Sequence, residues 1–324
     1  MSSVLVTGAR GQLGSELVAV LRAQHGPDRV VGLDLQAPPR TNGRPPTGPF
    51  ETGDVRDHAR LARAIDDHAV DTVYHLASLL SVTSEQHPDR AWDVNLTGLK
   101  HILDLAREHD LRVFWPSSIA VFGPGTPSDR APQDTVLDPT TLYGITKRSG
   151  ELLCRYYHRR YGLDVRSLRL PGLVSHTTAP GGGTTDYAVA MCRHAARDEP
   201  YTCFLRPNTA LPFLYMPDAL RAIRALMDAD GTALTVRDSY NLGGLSATPQ
   251  QVAAALRRHV PTFSCTYTPD ARQHIADSWP ASVDDTAARA DWGWAPTYDL
   301  NTMIADMLAN LRSPSEEDAP HPDE

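Results

Sequence analysis

The sequence predicts an α/β protein with a Rossmann-type, doubly wound parallel sheet and a smaller, interleaved C-terminal lobe. Three observations predict this class. Short apolar runs alternate with helical patterns through the first half of the chain, which is typical of a parallel sheet with helices on both faces. A glycine-rich turn follows the first apolar run. The alternation then breaks after Pro171.

The individual elements follow from the apolar patterns. We predict buried strands at residues 4–7, 29–34, 72–76, 112–117 and 165–170. Between them, helical patterns cover residues 12–24, 57–68, 90–109 and 142–160. Beyond Pro171, residues 218–228 predict a helix, and residues 239–242 predict a strand that returns to the sheet.

These elements suggest how the chain is divided. Residues 1–172 form the predicted dinucleotide-binding domain, with a returning segment at about 212–243. Residues 173–211 and 244–312 form the predicted second lobe. Residues 313–324 are rich in proline and acidic residues, which predicts a disordered tail. Residues 36–49 are rich in proline and predict a surface loop.

Composition excludes several classes of protein. The net charge of −8 over 324 residues argues against a nucleic-acid binder. No basic leader and no apolar run of membrane-spanning length occurs, and the four cysteines form no CxxC pair. We therefore expect a cytoplasmic protein without a membrane partner. The histidines and cysteines show no zinc-site spacing, and no GxSxG motif is present, so we expect no metal.

The glycine-rich turn is the first candidate site. Gly8, Gly11 and Gly14 follow the first strand, with Gln12 and Leu13 between the last two. Such a turn lets the backbone approach a pyrophosphate at a helix N-terminus, where free N–H groups and the helix dipole favour anions. The turn alone is a weak signal, and its context strengthens it.

That context is a series of residues at later strand ends. Asp34 lies twenty residues beyond Gly14, where a carboxylate can bind the adenosine ribose hydroxyls and repel a 2′-phosphate. This favours NAD over NADP; the alternative is a solvated loop acid. Asp54 and Val55 are predicted to hold the adenine, or Asp54 is a helix cap ahead of Asp57. The other predicted cofactor contacts are Leu76, Ala77, Asn95, Tyr143, Lys147 and Pro171.

Tyr143 and Lys147 are the candidate catalytic pair. They are four residues apart on a predicted helix, so both project from one face. An ammonium near a phenol favours the phenolate and lowers the tyrosine pKa towards working pH. Lys147 is one of only two lysines in the chain, the other being Lys100.

Ser118 is the third candidate catalytic residue. It ends an apolar run, and its hydroxyl can hold a substrate oxygen beside the tyrosine. Strand-end capping is the alternative for Ser117 and Ser118, and one of the two suffices for catalysis. Asn95, inside a predicted helix, can interrupt helical hydrogen bonding and hold a water in the proton path, or it is an ordinary exposed asparagine.

With these motifs in order, the chain resembles the extended short-chain dehydrogenases, which include UDP-sugar epimerases. Their S-x-x-V-[YF]-G run is SIAVFG at residues 118–123. Five longer segments resemble the short-chain L-threonine 3-dehydrogenases: VYHLASLLSVTSE (73–85), FWPSSIAVFGP (114–124), DVRSLRLPGLVS (164–175), PGGGTTDYA (180–188) and IADSWPASVDD (275–285). The likeness extends to about residue 308.

This resemblance implies NAD-dependent oxidation of L-threonine, a small-molecule substrate, to 2-amino-3-oxobutyrate. The positions that match the substrate pocket are Ser81, Ser118, Tyr143, Gly183, Thr184, Thr185 and Trp279. Trp279 as a core residue, and the glycine run as a plain surface loop, are the alternatives. The resemblance also implies a homodimer formed through the helices at 90–109 and 142–160.

The sequence departs from that family at two places. Ser78 replaces a usual alanine, and His176-Thr177 replaces a usual Trp-Lys pair; both are expected near the pocket. Two other functions remain open. One is a nucleotide-sugar epimerase or dehydratase of the same fold, which needs a large pocket for uridine and diphosphate. The other is a non-catalytic NAD-sensing protein, although such proteins usually lose the Tyr/Lys pair.

Overall fold

The computed structural model describes residues 3–38, 47–178, 181 and 183–313. Parts of three predicted segments lie outside these residues. They are residues 39–46 of the proline-rich loop, Pro180 and Gly182 of the glycine run, and residues 314–324 of the predicted disordered tail.

Strands and helices alternate along most of the described residues. The strands are β1 (Val4–Thr7), β2 (Val30–Asp34), β3 (Phe50–Thr52), β4 (Thr72–His75), β5 (Arg112–Ser118), β6 (Val165–Leu170), β7 (Gly172–Val174), β8 (Tyr201–Cys203), β9 (Leu211–Tyr215), β10 (Tyr240–Asn241), β11 (Leu245–Ala247) and β12 (Cys265–Tyr267). The helices are α1 (Gln12–His25), α2 (His58–Asp67), α3 (Ser81–Gln86), α4 (Pro88–Trp92), α5 (Gly98–His109), α6 (Leu142–Tyr161), α7 (Tyr187–Ala196), α8 (Met216–Asp228), α9 (Pro249–Arg257), α10 (Arg272–Asp277), α11 (Thr286–Trp292) and α12 (Leu300–Arg312).

Seven strands form one parallel sheet in the order β10-β6-β5-β4-β1-β2-β3. The predicted fold class is confirmed, and the predicted return of the chain near residues 239–242 corresponds to β10. Strand order reverses between β1 and β4. In open α/β sheets this reversal leaves a crevice at the carboxyl ends of the strands, where ligands bind.

The core lies on both faces of this sheet. Val4 and Val6 of β1 belong to one apolar cluster and Leu5 belongs to the other, as the two-residue period of a strand requires. All three side chains are buried, because helices cover both faces. The continuous apolar runs of the sequence therefore correspond to a sheet without a solvent face.

The predicted helix over residues 90–109 is wrong in one respect. The structure divides this region into α4, a π-helical stretch at Asp93–Thr97, and α5. The wider turn carries Asn95, which is buried and hydrogen-bonded to the segment after β4. π-Helical turns of this kind are often found at functional sites. The apolar periodicity runs through this region without a break, but the wider turn agrees with the prediction that Asn95 can interrupt helical hydrogen bonding.

A second group of elements, which we call the smaller lobe, lies outside the seven-stranded sheet and includes β9, whose residues were predicted to belong to the segment that returns to the first domain. It contains the three-stranded sheet β11-β9-β7 and the pair β12-β8. Helices α7, α9 and α12 pack against one another around an apolar cluster that includes Met191, Phe213 and Met307. A β-bridge between Ala131 and Val283 ties the segment after β5 to this lobe.

Three general expectations concern the whole chain. The four cysteines are all free thiols in the structure. Across the described ranges, no helix has both the length and the apolar character needed to cross a membrane. The same residues contain no group of histidine, cysteine and acidic side chains arranged to hold a metal ion.

Candidate active site

The glycine turn between β1 and α1 leaves no room for a side chain at Gly8 or Gly14. Gly8 has a φ of +68°, and a Cβ there would lie 2.7 Å from the backbone nitrogen of Ala77. A Cβ on Gly14 would lie 2.0 Å from the carbonyl oxygen of Gly8. Among the described residues, no side chain caps the start of α1. The turn therefore presents backbone at a helix N-terminus, as an anionic pyrophosphate requires, and the residues fit a dinucleotide.

Asp34 lies beside this turn at the end of β2. Its carboxylate accepts hydrogen bonds from the backbone N–H groups of Arg10 (2.9 Å) and Leu35 (2.7 Å). The side chain is therefore fixed rather than freely solvated, against the alternative of a loop acid. It lines a cleft with Gly8, Asp54 and Val55. We call this the aspartate cleft.

Asp54 has a different neighbourhood from the one we expected. Both of its carboxylate oxygens accept hydrogen bonds from the Arg56 guanidinium, at 2.6–3.0 Å. This hydrogen bonding holds the pKa of Asp54 below its usual range. The N-cap of α2 is Asp57, whose side chain accepts from the backbone N–H of Arg60. Asp54 is thus not the helix cap, and Arg56 shares its place in the aspartate cleft.

Asn95 supports the loop after β4. Its side-chain oxygen accepts hydrogen bonds from the backbone N–H of Leu79 (2.8 Å) and the hydroxyl of Ser78 (3.1 Å). Its nitrogen donates to the carbonyl of Leu79 (3.2 Å) and the hydroxyl of Thr146 (3.2 Å). Asn95 is buried, so it is not the exposed residue of the alternative interpretation.

The structure separates the roles of the two serines at the end of β5. Ser117 is buried and donates to Glu151 Oε1 at 2.7 Å. The hydroxyl of Ser118 instead lowers the pKa of Tyr143, and its Oγ accepts from the backbone N–H of Ala120 at 3.2 Å. Ser118 therefore caps the short turn that follows and contacts the tyrosine as well.

Tyr143 and Lys147 lie on one face of α6, as their spacing predicts. Burial raises the pKa of Tyr143 to about 12, and the Ser118 hydrogen bond opposes this rise. The Lys147 ammonium lies 5.5 Å from the tyrosine ring centroid and 4.8 Å from that of Trp115. It donates to the carbonyl of Pro116 at 2.7 Å.

The expected lowering of the tyrosine pKa by Lys147 is therefore not the dominant effect in this structure. Burial also lowers the pKa of Lys147 itself, to about 7. A lysine that is partly neutral at pH 7 provides little positive charge to a nearby phenol. Desolvation of both groups outweighs their attraction here, and Ser118 is the group that favours the phenolate.

A second cleft adjoins these residues. It shares Gly8, Gly11, Leu76 and Ser78 with the aspartate cleft, and we call it the tyrosine cleft. Its far wall is formed by Ser81, Trp279 and the residues from Gly183 to Asp186. Trp279 lines this cleft and also packs on the core of the smaller lobe, and its contact with substrate stays a prediction.

Thr184 is unusual among the residues of that wall. Its side chain is 1% exposed, and its hydroxyl oxygen has no hydrogen-bond partner within the described residues. Buried polar groups are nearly always hydrogen-bonded, so an unpartnered hydroxyl at a cleft points to a ligand. The neighbouring Gly183 N–H donates to the Asp186 carboxylate at 2.8 Å, which shapes the turn before α7.

All but one of the predicted site residues line the two clefts. Those at the tyrosine cleft are Gly8, Gly11, Gln12, Leu13, Gly14, Leu76, Ser81, Ser118, Tyr143, Lys147, Pro171, Gly183, Thr184, Thr185 and Trp279. Those at the aspartate cleft are Gly8, Gly11, Asp34, Asp54, Val55, Leu76 and Ala77. Asn95 lies behind the loop rather than at either surface.

Some lining residues were not anticipated. Leu80 and Asp186 line the tyrosine cleft, and Arg10 and Arg56 line the aspartate cleft. Arg10 lies between Gly8 and Gly11, so its place in the glycine motif could have predicted that it lines the cofactor cleft.

The two departures from the family pattern lie in different surroundings. Ser78 lines both clefts. His176 does not; its ring hydrogen-bonds to the hydroxyl of Tyr215 at 3.1 Å.

Comparison with known proteins gives the relationships of the chain. A family model described as the NAD dependent epimerase/dehydratase family matches residues 4–243. A protein of Staphylococcus saprophyticus, described as an uncharacterized epimerase/dehydratase, is 46% identical over 309 residues, covering 95% of this chain and 96% of that protein.

Two solved structures are similar over nearly their whole length. The holo form of a GalE-like L-threonine dehydrogenase from Cupriavidus necator is 51% identical, with a TM-score of 0.92 over 95% of this chain and 99% of that one. The apo form of a monomeric L-threonine 3-dehydrogenase from a metagenome database is 44% identical, with a TM-score of 0.92 over 95% of this chain and 98% of that one.

Proposed function

This chain belongs to the NAD-dependent epimerase/dehydratase family, with NAD as its cofactor, and we propose that it oxidises the C3 hydroxyl of L-threonine to 2-amino-3-oxobutyrate. The observation that carries the proposal is the pairing of Ser118 and Tyr143 across a cleft from the unpartnered hydroxyl of Thr184. The residues proposed for proton transfer and a polar residue proposed for recognition thus line one cleft. Similarity to L-threonine dehydrogenases supports the choice of substrate.

The cofactor, when bound, supplies the acceptor for the hydride of the alcohol carbon. We assign its pyrophosphate to the glycine turn and its adenosine ribose to Asp34. Tyr143 accepts the proton of the threonine hydroxyl, while Ser118 hydrogen-bonds the same oxygen and keeps it beside the phenol. Lys147 holds the end of β5 through the Pro116 carbonyl, and its ammonium form favours the phenolate.

The far wall of the tyrosine cleft recognises the rest of the substrate. Thr184 and Thr185 donate their hydroxyls to the threonine carboxylate, together with Ser81. These groups are buried, where hydrogen bonds to a charged acceptor are stronger than in water. Trp279 closes the side of the cleft and excludes water from the reacting carbon.

The test is a substrate panel with NAD as acceptor. We expect lasting NADH formation with L-threonine, slower formation with its stereoisomers and with serine, and none with UDP-sugars. Interconversion of a UDP-sugar without net NADH, and no reaction with threonine, would identify a nucleotide-sugar enzyme of the same fold. Binding of NAD with no reaction on any of these compounds would identify an NAD-sensing protein.

We also propose a homodimer formed through α6 and the helical region that contains α4. Three large apolar side chains on α6 are exposed: Ile145 (41%), Leu152 (42%) and Tyr156 (51%). Their spacing of seven and four residues places them along one stripe of the helix. Trp92 of α4 is also exposed (50%). A similar stripe on a second copy is the occupant that fits these residues, although one relative is described as monomeric.

A further inference from the structure

Three consecutive residues at the end of β5 face α6, and two of them are hydrogen-bonded to it. The carbonyl of Pro116 accepts from Lys147, and the hydroxyl of Ser117 donates to Glu151. Ser118, the third residue, lies at Tyr143, and its hydroxyl lowers the pKa of that phenol. On α6 the partners are four residues apart, on one face. The middle attachment differs from the others because neither Ser117 nor Glu151 has a place in the proposed reaction.

Glu151 is held from the other side by arginine. Its Oε1 also accepts from Arg169 Nε at 2.8 Å, and its Oε2 accepts from Arg169 Nη2 at 3.1 Å and Arg148 Nη1 at 2.9 Å. Glu151 and Arg169 are buried, at 0% and 1% exposed. A buried ion pair is weak evidence for stability, because desolvation offsets much of the attraction between the two charges. Stability alone therefore does not explain why Glu151 and Arg169 are paired here.

Hydrogen bonds connect the ion pair to segments that border the smaller lobe. Arg169 Nη1 donates to Asn241 Oδ1 at 3.0 Å and to the carbonyl of Gln133 at 3.1 Å. Asn241 Nδ2 donates to the carbonyls of Ala131 and Asp284, both at 3.1 Å. The position of Glu151 is thus set by β6, β10 and the loops packed on them, and not by α6 alone.

We propose that Glu151 is a positioning residue for the reaction proposed above. Through Ser117 it fixes the strand end that presents Ser118 to Tyr143 and the Pro116 carbonyl to Lys147. Glu151 touches neither the cofactor nor the substrate in this role. A displacement of about 1 Å at a reacting group can lower the rate by roughly a hundredfold. Holding the end of β5 in place therefore gives the buried ion pair a role in catalysis that its contribution to stability does not explain.

The charged groups around Glu151 determine what its neutralisation does. Arg148 and Arg169 contact it directly, Asp238 lies 3.9 Å from Arg169, and Lys147 is one turn earlier on α6. The charge of Glu151 raises the pKa of Lys147 and so opposes the effect of burial. Glu151→Gln keeps the shape of the side chain, loosens its hold on Arg169, and removes this support for the Lys147 ammonium.

The experiment compares Glu151→Gln, Ser117→Ala and the double variant with a matched control, Glu108→Gln, whose carboxylate is half exposed on α5. We expect Glu151→Gln to lower kcat at least about tenfold, while the KM for threonine and the Kd for NAD stay within about threefold. The rising limb of its pH profile moves to higher pH, because a weaker Lys147 ammonium raises the pKa of Tyr143. Ser117→Ala lowers kcat by about threefold, and the double variant is no worse than Glu151→Gln, because residue 151 acts on the strand end through its contact with Ser117.

A purely structural role gives a different result. Glu151→Gln would then lower the Tm, yet the folded enzyme would keep kcat within about twofold and an unchanged pH profile, and the positioning role would be wrong. If Glu151→Gln fails to fold, Ser117→Ala decides, since it removes no charge. A wild-type kcat in Ser117→Ala overturns the proposal.

A further readout separates this proposal from the proposed function. The titration of Tyr143 is followed by ultraviolet absorbance in the NAD complex. For the wild type and for Glu151→Gln, the spectrum of the same protein carrying Tyr143→Phe is subtracted, which leaves the signal of Tyr143. Glu151→Gln should raise the pKa of Tyr143 even if wild-type protein does not oxidise threonine. An unchanged pKa contradicts positioning by Glu151, whatever the substrate proves to be.

Discussion

The ammonium of Lys147 lies 2.7 Å from the carbonyl oxygen of Pro116, two residues before Ser118. Lys147 is therefore attached to the strand that supplies the serine, and not to the tyrosine on its own helix. This hydrogen bond fixes Ser118 of β5 relative to Tyr143 and Lys147 of α6. Variants of these groups and of the clefts around them test whether that arrangement carries the reaction.

Tyr143→Phe removes the proton acceptor and leaves the ring. We expect kcat for threonine to fall by roughly 100-fold or more, the usual loss for a general base, with an unchanged Kd for NAD measured by fluorescence titration. Tyr161→Phe is the control, because Tyr161 lies at the far, exposed end of α6. Retention of more than about a tenth of kcat would exclude Tyr143 as the base.

EDTA should not change the wild-type rate, because no group of side chains among the described residues could hold a metal ion.

The rate should rise with pH. Burial raises the pKa of Tyr143 to about 12, so its basic form is scarce at neutral pH and becomes more populated as pH increases. We expect kcat to increase from about pH 7 towards about pH 10. In Ser118→Ala the hydrogen bond that lowers this pKa is lost, so the rising limb should move to higher pH. Identical profiles in the two proteins would contradict the role of Ser118.

Asp34 should determine the choice of cofactor. Its carboxylate is fixed by two backbone N–H groups, so a 2′-phosphate on the adenosine ribose would meet a fixed negative charge. We expect kcat/KM for NAD to exceed that for NADP by more than about tenfold, or about 1.4 kcal/mol. Asp34→Ser should reduce this ratio, and Asp28→Ser on the exposed turn before β2 should not. Equal values for the two cofactors in the wild type would reject the assignment.

Thr184→Val tests substrate recognition without a cost in stability. The hydroxyl of Thr184 has no partner among the described residues, so valine breaks no bond of the free protein and the Tm should not fall. The lost hydrogen bond to a substrate carboxylate should lower kcat/KM for threonine by roughly 10- to 150-fold, or about 1.5–3 kcal/mol. Thr262→Val, on an exposed turn, is the control. An unchanged KM would place the carboxylate elsewhere, at Ser81 or Trp279.

The dimer is tested by charging the apolar stripe of α6. We expect wild-type protein to be a dimer by light scattering at micromolar concentration. The double variant Leu152→Glu, Tyr156→Glu should be monomeric, because buried unpaired carboxylates disfavour an apolar interface. Val136→Glu, which charges an exposed apolar residue outside α6, should remain dimeric. A monomeric wild type would reject this interface.

The sequence by itself determined the features that depend on neighbours along the chain. Apolar runs predicted the strands of the sheet, the glycine spacing located the turn before α1, and the four-residue spacing of Tyr143 and Lys147 placed both on one helix face. These predictions succeed because strand and helix periods are local properties of the backbone.

Only the tertiary structure decided which partner each polar side chain takes. It assigned Ser117 to Glu151 and Ser118 to Tyr143, paired Asp54 with Arg56, and buried Asn95 in a π-helical turn against Leu79. Burial also reversed the expected effect on the pKa of Tyr143. Most of these contacts join residues far apart in sequence, and a pKa depends on desolvation by the whole surroundings, which no local spacing encodes.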